Sequence, residues 1–156
     1  MQGRIKLVIA AVVALGFVLW LRHYFSDEAA IARMFAAAAD NVANERILGV
    51  AGNVARTYSD PYGQSYESFL GGVKTMFDRY DDLSLPHDLE RVSVSGATAQ
   101  VELSFRLKGS DGGDHRLLLG EALTPARATV EVRKVGSDWK IERVIEVDIP
   151  NAPPPG

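Results

Sequence analysis

The chain of 156 residues contains no cysteine. Disulfides, zinc–thiolate sites and thiol catalysis are therefore excluded, and the fold must be held by packing alone. Histidine is scarce too. His23, His87 and His115 are the whole set, and no spacing joins them to a nucleophile or to a metal-ligand group. There is no phosphate-binding glycine loop, no H-E-x-x-H helix and no nucleophile elbow. Asp111-Gly112-Gly113-Asp114 is too short for a calcium loop and reads as a turn. No cofactor is expected. The net charge of −3 lacks the basic excess that nucleic acid demands, so nucleic acid is not an expected partner. No internal repeat is present.

What the chain does have is one long apolar run, Leu7 to Leu21. Counted from Ile5, with Lys6 as its one interruption, it covers 5–21, or about 25 Å of helix, the short end of a bilayer crossing. Arg4 and Lys6 can snorkel at one end, while Trp20, Tyr24 and Phe25 lie where an interfacial aromatic belt would form. All 20 acidic residues follow the run. Positive charge thus favours a cytoplasmic N-terminus. The expectation is a signal-anchor over 1–25 that contacts the lipid bilayer through 5–21. It would be single-pass in a bacterial inner membrane, with the remaining domain periplasmic. A cleaved signal peptide would share the basic start, but Arg22-His23-Tyr24 stands where small residues are needed. A buried core helix is the third reading. Arg outnumbers Lys 12 to 5 and Ala is abundant, the usage of a GC-rich bacterial genome.

After the run, the apolar period is helical. Ser26 is placed to cap a helix in which Asp27 and Glu28 occupy the first turn and Ile31, Met34, Phe35, Ala38 and Val42 form a stripe. A second helix is expected over 45–57, with Gly49 and Gly52 permitting close packing. The cluster Ser59-Asp60-Pro61-Tyr62-Gly63 is a turn, and a third helix follows over 65–80. From Leu83 the period becomes two. Strands are expected around 89–94, over 99–108 (the clearest alternation), at 116–119, over 127–135 and over 139–149. The last seven residues, 150–156, carry four of the seven prolines and read as a disordered or polyproline tail.

Three helices followed by a curved antiparallel sheet of four or more strands make an α+β cone. The order resembles the NTF2-like (cystatin-like) superfamily over 26–149. The resemblance rests on Tyr58-Ser59-Asp60-Pro61-Tyr62-Gly63 leading into helix three, and on the closing hairpin from Val130 to Ile141 with its Gly-Ser-Asp-Trp-Lys-Ile ending. It implies the fold. It also implies a range of roles, from isomerases, dehydratases and hydrolases to transport factors and membrane-anchored periplasmic assembly domains.

An enzyme of this shape would need a carboxylate and a donor inside the cone. The inward positions Ala99, Val101, Leu103, Phe105, Leu107, Val130 and Val132 offer neither. The candidate ligand- or partner-binding residues are therefore Tyr58, Asp60, Tyr62 and Tyr66 near the cone mouth, and Arg143, which shares parity with Trp139, Ile141, Ile145 and Val147. Each has a plainer alternative. The tyrosines pack with a wet tip, Asp60 serves the turn, and a bulge at Arg143-Val144 turns the guanidinium outward. The expected function is a membrane-anchored, non-enzymatic module that binds a protein partner or a small apolar ligand. A homodimer through the sheet stays open, and an isomerase, dehydratase or hydrolase at the cone mouth is the alternative.

Overall fold

Ser26 separates the first two helices. In the computed structural model, residues 2–121 and 123–150 are described, with side chains from Val8 onward. Helix α1 spans Gln2–Tyr24. The Ser26 hydroxyl then accepts a hydrogen bond from the Ala29 amide at 3.2 Å, and α2 runs over Asp27–Ala43. Asp27 and Glu28 offset the partial positive charge of its first turn. Among the described residues no single helix is long and apolar enough to cross a membrane. Val8–Tyr24 and Asp27–Ala43 meet that measure together, but they are bent by 57°. The single-helix span expected over 5–21 is thus left without support from helix length. Of the tail expected over 150–156, all but Pro150 lies outside the described residues.

The domain is α+β. After α1 and α2 come α3 (Ile47–Asn53), β1 (Val54–Ser59) and α4 (Tyr66–Arg79). Then follow β2 (Asp81–Ser84), β3 (His87–Ser95), β4 (Thr98–Phe105), β5 (Leu107–Asp111), β6 (Asp114–Leu119), β7 (Ala126–Val135) and β8 (Asp138–Asp148). Five strands form the main sheet in the order β1-β8-β7-β4-β3, and β2-β5-β6 form a smaller one. The main core lies between α2 and the main sheet. Ile31, Met34 and Phe35 meet Ala99, Val101, Leu103, Val130, Val132 and Trp139 there. A second cluster joins Val42 and Val50 to Leu83 and Leu107, with the apolar face of α4 packed on it.

Three expectations need correction. The sheet is mixed, because β1 runs parallel to β8. The helix expected over 45–57 ends at Asn53, and Val54-Ala55-Arg56-Thr57-Tyr58-Ser59 is strand. Gly52 and Asn53 hold a helix poorly, whereas Val54, Thr57 and Tyr58 suit a pleated surface beside β8. Leu48, on the short helix that remains, is 86 % exposed. Finally, the strand expected over 99–108 is two strands. At Arg106 the chain leaves the main sheet for the smaller one, and the Arg106 amide donates to Pro86 O at 3.0 Å. Alternation of side chains continues through the crossover, so period alone could not reveal it. Gly49 does permit close packing, since a Cβ there would overlap the Asn41 amide; Gly52 faces open space.

One contact fastens α2 to the sheet at its very start. Asp27 Oδ1 accepts from Lys134 Nζ at 2.8 Å and from Trp139 Nε1 at 3.3 Å. The Lys134 bond, with the indole and the ammonium charge behind it, holds the Asp27 carboxyl below the ordinary carboxylate range. A lowered folded-state value contributes stability above the unfolded value, and that contribution is lost as pH falls through it. Asp27→Asn should therefore unfold at lower urea than the parent at pH 7. The two midpoints should converge below about pH 3. Equal midpoints at pH 7 would show that the contact contributes nothing.

Candidate functional site

Four of the five candidate residues gather at the corner where β1 enters α4. Asp60 organises it. Its Oδ1 accepts from the Tyr62 amide at 2.9 Å and the Gln64 amide at 3.0 Å, and its Oδ2 accepts from the Tyr58 hydroxyl at 3.2 Å. Its carbonyl accepts from the Gly63 amide at 3.1 Å. Tyr58 is buried with its ring 4.8 Å from that of Phe69. Burial, then the Asp60 charge beside it, pushes the Tyr58 phenol well above its ordinary range. Tyr66 is also buried; its hydroxyl donates to Ala51 O at 3.3 Å, and the Arg56 guanidinium lies 4.5 Å above its ring. Tyr62 points outward, 55 % exposed. In this corner Asp60 and the Tyr58 hydroxyl hold the turn, and the Tyr66 hydroxyl ties α4 to α3.

Arg143 is near the corner in register, since its Cα pairs with Ser59, but its side chain goes elsewhere. Strand β8 carries two irregularities. Val132 pairs with Ile141 and Glu131 with Arg143, which skips Glu142; Val130 pairs with Val144 and Thr129 with Glu146, which skips Ile145. Each bulge flips the parity. Val144 and Ile141 pack on the core, while Arg143 Nη2 donates to Glu131 Oε1 and Oε2 at 3.1 and 3.2 Å on the outer face. The strict alternation that put Arg143 inward is interrupted by the skipped Glu142.

That skipped residue is the buried carboxylate the sequence analysis did not find. Glu142 Oε1 accepts from Thr57 Oγ1 at 3.0 Å. Arg133 Nε lies 2.8 Å from Oε2 without a hydrogen-bonding angle, so this contact is an ion pair and Oε2 has no hydrogen bond. Two longer ion pairs continue along the outer face, Arg91–Glu102 at 3.5 Å and Arg127–Glu90 at 3.6 Å. The outer face is thus a lattice of cross-strand charge pairs. No signal in the sequence separates Glu142 from Glu131 or Glu146, because its burial depends on the bulge.

Between α2 and the middle of the main sheet, apolar side chains pack on one another. Two openings flank that layer, each lined by residues of α2 and of the sheet. One groove of about 430 Å³ runs along Ala36 and Ala39 to His87, Asp88 and Arg106. His87 Nδ1 sits 3.2 Å from Leu85 O, which can only accept. A second, of about 390 Å³, lies beside Ala30, Arg33, Asn53, Asp138 and Trp139. Glu142→Ala should cost about 1–3 kcal/mol in urea unfolding of the full chain, because Thr57 and Arg133 lose a largely buried partner. Arg143→Ala, whose pair is exposed, should cost less than about 1 kcal/mol. The reverse order would contradict this assignment.

No protein-family model matches the chain, and no curated protein matches it either. Solved structures do match. A candidate scytalone dehydratase from Novosphingobium aromaticivorans superposes with a TM-score of 0.68 at 15% identity, over 79% of this chain and 83% of that one. A cystatin-like-fold protein of unknown function from Nostoc punctiforme gives 0.56 at 16%, over 82% and 94%. An NTF2-like protein of unknown function from Shewanella oneidensis gives 0.57 at 12%, over 76% and 97%. Identities this low speak for architecture alone, and the roles of these neighbours leave the function open. The domain after α1 has the NTF2-like fold.

Proposed function

We propose that this protein is a membrane-anchored NTF2-like module, facing the periplasm of a bacterium, that holds a protein partner at the bilayer surface and performs no chemistry of its own. The observation that carries the reading is the surface of α1. Val8, Ile9, Val12, Val13, Leu15, Phe17, Val18, Leu19 and Trp20 are all more than half exposed, and they point in every direction around the helix. Apolar side chains around a whole helix require an apolar surrounding. The domain does not supply one. The run is short, so tilt is unneeded and local thinning with snorkelling of Lys6 would accommodate it. Arg4 and Lys6 before the run and Asp27 and Glu28 after it favour the N-in orientation.

Two features favour a protein partner over a small apolar ligand. Apolar side chains pack the layer between α2 and the middle of the sheet, and the outer face presents a fixed pattern of paired charges. The enzyme alternative draws on the dehydratase-like neighbour, but Tyr58 and Asp60, which it would use, are bonded to each other in the turn, and the Tyr66 hydroxyl is bonded to Ala51 O.

In cells, the intact chain should stay with membranes through alkaline carbonate washing. Because the chain has no cysteine, Asp114→Cys supplies a unique label site. A membrane-impermeant maleimide should label it in spheroplasts before lysis. Recovery of the intact chain in the soluble fraction would overturn the anchor, and labelling only after lysis would overturn the orientation.

A further inference from the structure

We infer that the domain rests on the bilayer through the tips of two hairpins, β3–β4 and β7–β8, so that the sheet is held at a fixed attitude to the membrane. The inference rests on the anchor reading above and concerns a different surface. It begins at the elbow between α1 and α2. Arg33 spans the break: its Nη1 donates to Tyr24 O at 2.8 Å, and its guanidinium lies 4.6 Å from the Tyr24 ring centroid. Phe17, Trp20, Tyr24 and Phe25 form a continuous aromatic ladder up to that point, with successive centroids 5.9, 5.5 and 5.3 Å apart. Such a ladder belongs at the lipid–water interface. The elbow therefore marks the depth at which the chain leaves the bilayer.

The hairpin tips lie at that same level. Asp27, two residues beyond Phe25, bonds Lys134 and Trp139, which face each other on either side of the β7–β8 turn. The Lys134 amide donates to Ala97 O at 2.8 Å, which ties the β3–β4 turn alongside. Between them these turns expose Val94, Ala97 and Val135, with Phe25 beside them 73 % exposed. The turns themselves, Ser95-Gly96-Ala97 and Val135-Gly136-Ser137, carry no charge. Beside them Lys134 pairs with Asp27 and Arg133 with Glu142. Paired charges around small apolar tips need no anionic headgroup to neutralise them, and a zwitterionic layer suffices. Small apolar side chains at a fixed distance from an anchor insert shallowly, at the depth of the acyl boundary.

The test uses four single-cysteine variants of the full chain, each carrying the same environment-sensitive fluorophore, in phosphatidylcholine vesicles with and without lipids bearing quenchers both near the headgroup and at the ends of the acyl chains. Val13→Cys reports on α1, Val135→Cys and Ala97→Cys on the two tips, and Asp114→Cys on the β5–β6 turn. The α1 label and both tip labels should be quenched at least about twofold more than the Asp114 label. Quenching at Val13 with tip labels no more quenched than Asp114 would overturn the docking and leave the anchor standing. A Val13 label no more quenched than Asp114 would overturn the anchor and, with it, the docking. Far-UV circular dichroism matching the parent establishes that each variant is folded, and two tip positions guard against one local disturbance.

Discussion

The burial of one helical stripe against one face of the main sheet is the constraint on which the rest of the structure depends. Ile31, Met34 and Phe35 of α2 sit on Val101, Val130, Val132 and Trp139, and Ile31, Val101 and Val132 are sealed from solvent. Each such side chain contributes roughly 1.5–3 kcal/mol by leaving water. With no cysteine and no metal cluster among the described residues, that packing has no covalent or coordinate support. It also takes up space between helix and sheet in which a pocket of this architecture could otherwise form.

Closing the interior moves the informative chemistry outward. Polar groups that might have served a site are used to shape the chain. Asp60 gathers two amides and a phenol around a turn, and Glu142 anchors a bulge between Thr57 and Arg133. The Asp27 contact fixes α2 at the point where α1 departs. Domain and α1 are thus joined by a short, hydrogen-bonded elbow rather than a linker.

Much of this was legible in the residues, for identifiable reasons. The Ser26 cap, the α2 stripe and the helix after the Asp60 turn are local, and local periodicity reports them. The closing hairpin was legible too, because Gly136-Ser137 separates two alternating strands. What escaped depends on partners far along the chain. Val54–Ser59 matches a helical stripe as well as a strand, and only β8, more than 80 residues later, decides between them. The bulges at Glu142 and Ile145 change the facing of Arg143 without changing composition. Asp27 reads as an ordinary first-turn acid until Lys134 and Trp139, over a hundred residues away, are brought to it.

The central claim is that the apolar sides of α1 are covered by lipid. Amide hydrogen exchange of the full chain in lipid nanodiscs tests it most directly. The account predicts that the amides of Val8–Leu21 exchange at least as slowly as those of β4 and β7. If the domain stays protected in the same sample while α1 exchanges as quickly as a helix open to water, the anchor is contradicted and the function must be sought in solution.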